Sequence, residues 1–178
     1  SRFLGGVPVF DSPGRMFPVD ISYMERPDSA PVWEKAASAV RRALAVPPDK
    51  SGHVLVFLPG IGEIRRTEGL LRDNGADLHI LHSSVPADEQ DRALRPSPRR
   101  KVILATNIAE TSLTIDGVRT VIDSGLVRVL IHDARLGIDR LELRRISRSS
   151  ATQRAGRAGR TAPGRCLRLW TDAEQSAL

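Results

Sequence analysis

Val54-Leu-Val-Phe-Leu-Pro-Gly60 places five apolar residues in a row and stops them with Pro-Gly. A strand with one wet face alternates apolar and polar residues, whereas a strand covered on both faces does not. The run therefore reads as a buried strand followed by a turn. Downstream, Ile61 to Asp73 carries Ile61, Ile64 and Leu71 at helical spacing and ends at Asn74-Gly75. Leu78 to Leu81 is a second short strand. Ser84 to Leu94 has a helical pattern, with Ser84 as candidate N-cap and Pro86, Asp88 and Glu89 suited to a first turn. Arg95-Pro-Ser-Pro-Arg-Arg100 is a loop, since two prolines break both regular structures. Val102-Ile-Leu-Ala105 and Val118 to Ile122 repeat the buried-strand signature. This alternation predicts an α/β fold: a mostly parallel sheet flanked by helices.

Two segments depart from the rhythm. Residues 1–29 are rich in glycine and proline and read as a linker leading into a first strand, with Val19, Ile21 and Tyr23 alternating. A helix from about Pro31 to Ala45 follows, with Trp33, Ala37, Val40 and Leu44 on one face. Residues 127–143 read as an inserted β-hairpin: Val127 to Ile131, a turn near Asp133 to Gly137, then Ile138 to Leu143. Arg165 to Trp170 is a final strand, and Thr171-Asp172-Ala-Glu174 has the pattern of a helix start.

The chain has 178 residues, room for one domain with a real core. No apolar run approaches membrane-spanning length, and no signal-peptide pattern opens the chain. The single cysteine, Cys166, excludes an internal disulfide and fits a reducing, cytoplasmic setting. His53, His79, His82 and His132 have no metal-ligand spacing, so no metal is expected on this chain alone. The formal charge is +6, and the segment from Leu143 to Thr171 holds eight arginines and no acid. The basic character is thus concentrated in one place, as expected of a site that receives phosphates.

That segment contains Gln153-Arg-Ala-Gly-Arg-Ala-Gly-Arg160. If Ser149 or Ser150 caps a helix that runs to about Ala158, then Gln153, Arg157 and Arg160 fall within a stripe of about 60°. Two guanidinium groups and an amide on one face suit phosphate oxygens and an attacking water. Arg154 lies off the stripe and is expected to serve a neighbouring acid or the fold. Gly156 and Gly159 each oppose a helix by about 1 kcal/mol relative to alanine, so another backbone or a ligand should come close.

The same octapeptide resembles motif VI of DEAH-box superfamily 2 helicases. Ala105-Thr-Asn-Ile-Ala-Glu-Thr-Ser-Leu-Thr-Ile-Asp-Gly117 resembles their motif V, and Leu55-Val-Phe-Leu-Pro-Gly60 their motif IV. Arg145-Ile-Ser-Arg148 and the ending Leu169-Trp170 are most similar to the bacterial HrpB-like branch. The resemblance implies that residues 1–178 form one helicase C-terminal domain of RecA-like, P-loop NTPase-type fold. That domain is the second motor domain of an ATP-dependent, RNA-directed helicase. It further implies that Gln153, Arg157 and Arg160 act on the NTP, with the arginines as fingers on the γ-phosphate. Thr114, Asp116 and Leu94 would face the nucleotide's sugar and base. Leu94 stands where many relatives carry an aromatic residue, which implies a loose choice among NTPs. Thr106, Asn107, Ser83, Ser84 and Gly60 would touch the backbone of single-stranded nucleic acid, while Arg128 and Arg135 on the hairpin read as ordinary solvated charges. Neither a phosphate loop nor an Asp-Glu-Ala-His box occurs here. ATP and its Mg²⁺ would then be held mainly by a first RecA-like domain of a longer protein, and this chain alone would hydrolyse nothing. The alternatives are a non-catalytic nucleic-acid-binding module and a module whose arginine face docks an acidic protein.

Overall fold

The computed structural model describes residues 17–47, 52–72, 75–111, 115–133 and 137–176. Most of the linker read at 1–29, as well as Thr114 and Arg135, lies outside these residues. The elements run β1 (Val19–Tyr23), α1 (Val32–Leu44), β2 (His53–Phe57), α2 (Ile61–Leu70), β3 (Asp77–Leu81), α3 (Ala87–Leu94), β4 (Lys101–Ala105) and α4 (Ile108–Thr111). They continue with β5 (Val118–Asp123), β6 (Leu126–Asp133), β7 (Ile138–Arg145), α5 (Arg148–Gly156), a 3₁₀ turn (Arg157–Gly159), β8 (Gly164–Arg168) and α6 (Asp172–Gln175).

Among the described residues, six strands form one sheet in the order β1-β8-β5-β2-β4-β3, and every neighbouring pair is parallel. β2 and β4 lie inside it, which is why Val54 to Phe57 and Val102 to Ala105 are apolar without a break, with His53 and Lys101 only at the first positions. Val54, Val56, Leu58, Val102 and Leu104 pack with α1 and α2 on one face. Leu55, Phe57, Ile103 and Ala105 pack with α3, α4 and α5 on the other. β6 and β7 make the expected antiparallel hairpin, apart from the main sheet.

Several local expectations shift. α2 stops at Leu70 rather than Asp73. The core side of α1 is Ala36, Ala37, Ala39, Val40 and Ala43, while Trp33 and Leu44 are only half-buried. Small residues let this helix lie close on the sheet, and Trp33 instead stacks under the Arg66 guanidinium at 4.5 Å. Ser84 does not cap α3. The helix begins three residues later with Pro86 at its N-cap, and Ser84 bonds His82 through both its amide and its hydroxyl.

Where the loop 95–100 meets β4 stand two cations, Arg100 and Lys101, whose work the sequence does not announce. Arg100 donates to the carbonyls of Ala43 (2.7 Å), Leu44 (3.1 Å) and Val46 (2.8 Å) past the end of α1. Lys101, 2% exposed, donates to the carbonyls of Arg92 and Ala93 and to that of Arg95 at the end of α3. Each places positive charge where a helix dipole is negative.

These cations also bear on acid stability. Burial first, then Lys101 and Arg100, lower the pKa of His53 below its ordinary 6.5. Burial likewise lowers His79 and His82. Unfolded histidines take up protons as pH falls through about 6.5, and the folded ones resist until lower pH. Stability is therefore expected to be full above pH 7 and to decline as pH drops below 6.5. Urea midpoints at pH 7.5 and 5.5 check this; equal midpoints would refute it.

Candidate functional site

α5 is built from its cap. Ser147, not Ser149 or Ser150, is the N-cap, and its hydroxyl accepts the Ser150 amide. The α-helix ends at Gly156 and tightens into the 3₁₀ turn Arg157–Gly159, so the uniform 100° rotation assumed to Ala158 does not hold. Ser150 beyond the carboxyl end of β4 and Gly159 beside Phe17, ahead of β1, show that α5 runs antiparallel to the strands. Gly159 is a close approach: a Cβ there would stand 2.5 Å from the Phe17 carbonyl oxygen. The backbone expected near this glycine is that of the chain entering β1.

The three residues of the stripe are not equivalent. Gln153 and Arg160 are exposed, whereas Arg157 is 7% exposed and its guanidinium donates to the Glu110 carbonyl. Burial, and then Arg160 beside it, lower the Arg157 pKa, with Glu110 partly opposing. The charge of Arg160 thus disfavours that of Arg157, an arrangement that an anion relieves. Arg154 does serve acids: Nε donates to Glu110 Oε2 at 3.0 Å and Nη1 to Asp123 Oδ1 at 2.9 Å.

Glu110 is the residue that reading by motif left without a role. Its side chain accepts from Ser150 Oγ at 2.6 Å and from Arg154, and its carbonyl accepts from Arg157. It sits in α4, whose first turn is closed by Glu110 N donating to the Asn107 carbonyl at 2.9 Å. The motif V-like segment and the arginine element are therefore one hydrogen-bonded unit. A signal existed in the sequence: Glu110 is an acid flanked by Ile108-Ala109 and Thr111-Ser-Leu113, in a chain rich in arginine.

The other candidates divide into two places. Thr106 and Asn107 follow β4, Ser83 and Ser84 follow β3, and Gly60 follows β2, so they lie on adjacent turns at the carboxyl edge of one half of the sheet. Asn107, Ser83 and Ser84 are exposed, and Thr106 is 9% exposed. Gly60 is buried and covered: Arg128 lies over it and donates to Glu63 Oε1 at 2.9 Å, so Arg128 is not a plain solvated charge. Asp116 is exposed in the turn before β5, and Leu94 is half-buried at the end of α3. Both belong to the amino end of the same face that α5 crosses, away from the carboxyl edge.

The model of the helicase conserved C-terminal domain matches residues 36–162. The chain belongs to the helicase conserved C-terminal domain family. Its resemblance is to the DEAH-box members. It is 43% identical to the ATP-dependent RNA helicase HrpB of Escherichia coli over 94% of this chain and 21% of that protein. It is 41% identical to the pre-mRNA-splicing factor ATP-dependent RNA helicase prp22 of Schizosaccharomyces pombe over 97% of this chain and 15% of that protein. A crystal structure of E. coli HrpB superimposes with a TM-score of 0.82 at 42% identity, covering 92% of this chain and 21% of that one. The fold of this helicase domain is therefore RecA-like, as the motifs implied. The chain spans about a fifth or less of these relatives' lengths.

Proposed function

We propose that this helicase domain is the second motor lobe of an ATP-dependent, RNA-directed helicase, working as one unit over residues 1–178 in the cytoplasm. Gln153, Arg157 and Arg160 face an NTP whose phosphates and Mg²⁺ a companion lobe mainly holds. Bound there, the nucleotide supplies the phosphoryl group that water attacks. Arg160 and Arg157 stabilise charge that grows on the phosphate oxygens, and Gln153 orients the water. Asp116, with Thr114 close by in sequence, serves the ribose, and Leu94 packs on the base with little discrimination. Thr106, Asn107, Ser83 and Ser84 grip the strand's backbone, a contact that carries little sequence preference.

The observation that carries the reading is the Glu110 bridge. A shift of the turn at Thr106 and Asn107 on strand binding moves α4, and with it the carbonyl that seats Arg157 and the carboxylate that seats Arg154. A module that only binds nucleic acid has no need of this connection. Alone, the domain hydrolyses no NTP, because it lacks the residues that cradle the triphosphate. The test is a protein joining it to a phosphate-loop motor domain. Charge reversal at Arg157 and Arg160 together should abolish turnover with RNA binding retained; unchanged turnover leaves only the binding module.

A further inference from the structure

We infer that Arg128, aimed by the buried carboxylate of Glu63, is a further phosphate-contacting residue of the strand edge. The inference rests on the reading of that edge as a nucleic-acid contact. Arg128 belongs to β6, yet its side chain leaves the hairpin and crosses the Gly60 turn. A Cβ on Gly60 would stand 2.8 Å from its Nε and 3.1 Å from its Cδ. Nη2 donates to Glu63 Oε1 at 2.9 Å, and Glu63 is 8% exposed with Oε2 lacking a hydrogen-bond partner among the described residues. A fully exposed pair would be worth little, but a buried carboxylate left alone is costly, so Glu63 holds the guanidinium in place.

What remains of that guanidinium is available. The Arg128 side chain is 39% exposed, and a guanidinium carries five N–H donors in a rigid fork. One nitrogen can keep Glu63 while another meets a phosphate. The location suits this: Leu58 N donates to the Ala105 carbonyl at 2.8 Å, which sets the turn bearing Gly60 beside the turn bearing Thr106 and Asn107. A strand lying along Ser84 and Thr106 reaches Arg128 next. The hairpin's Arg140 and Arg144 differ: both pair with Glu142, and the strand alternation puts them on the face opposite Arg128. Glu63 is a positioning residue, and Arg128 is the contact.

The test uses the 178-residue chain and a labelled single-stranded oligouridylate, with affinity read by fluorescence anisotropy over a range of salt. Arg128→Gln should weaken binding about tenfold, as for one charge-assisted hydrogen bond. The slope of log affinity against log salt should become shallower by about 0.7, the share of one single-strand phosphate. Arg140→Gln removes the same charge and should change neither. Glu63→Ala removes a negative charge, which would tighten binding if net charge alone mattered; it should weaken binding, because the guanidinium loses its anchor. Should Arg128→Gln fail to fold by thermal unfolding, Arg128→Lys replaces it. A point charge cannot serve both partners, so affinity should fall about threefold with the slope kept. Salt-dependent binding by the parent chain, with Arg128 variants matching Arg140→Gln, overturns the inference and leaves the edge reading standing. No binding by the parent chain overturns both.

Discussion

Arg154→Met is expected to cost the fold about 3–5 kcal/mol, the range for breaking a buried ion pair by removing one partner. Arg154 is 1% exposed and Asp123 0% exposed. The guanidinium spends Nε on Glu110 and Nη1 on Asp123 and the Leu126 carbonyl, and lies 4.9 Å from the Phe57 ring centre. Burial raises the Asp123 pKa, and Arg154 is the largest influence in the other direction. Without it, Asp123 must take a proton or leave the core, and Glu110 loses a donor as well. Urea unfolding at pH 7 measures the cost. Arg154→Met combined with Asp123→Asn should recover part of it, since no buried charge is then stranded. A single-variant loss under about 1 kcal/mol would show that the pair is dispensable.

Arg160→Ala, in a protein that joins this domain to a phosphate-loop motor domain, should lower turnover by about 10³- to 10⁵-fold, as removal of an arginine finger does. That corresponds to about 4–7 kcal/mol of barrier. Arg160 is the better probe of the two arginines because it is exposed, whereas Arg157 also holds the Glu110 carbonyl. Arg157→Ala should therefore lose turnover and stability together, and Arg160→Ala, at an exposed position, should lose chiefly turnover. Single-turnover rates with saturating nucleotide, paired with thermal unfolding, separate the effects. A drop below tenfold at Arg160 would remove it from the reacting phosphate. RNA affinity should stay near the parent value, since the strand contacts proposed at Thr106 and Ser84 follow β4 and β3, elsewhere on the sheet.

Much of this is legible in the sequence alone. The buried strands at Val54 and Val102 are legible because a strand covered on both faces is apolar over a continuous run, and that at Val118 from its β-branched residues despite Arg119, Thr120 and Asp123; the structure pairs them in parallel. The hairpin was legible from its two apolar runs and intervening turn, and the off-stripe Arg154 from helix geometry. The helix starts at Pro31 and Thr171 read correctly, but two others do not. Ser84 and Ser150 have capping side chains, but each found a closer partner, in His82 and Glu110 respectively. Capping preference is worth about 1 kcal/mol and yields readily to such competition.

The local pattern of apolar, glycine and arginine residues determined the layered parallel fold and the family, because those signals act over a few residues. Which arginine would be buried, which would cap a helix and which would remain outward was decided only in three dimensions. Helix geometry sets Arg154 apart in the chain, but Arg157 and Arg160 read alike there. Their fates differ because Asp123 and Glu110, 31 and 44 residues from Arg154 in sequence, are brought under the first two by the sheet. Charge interactions select partners by distance in space, and distance in space is what strand order supplies.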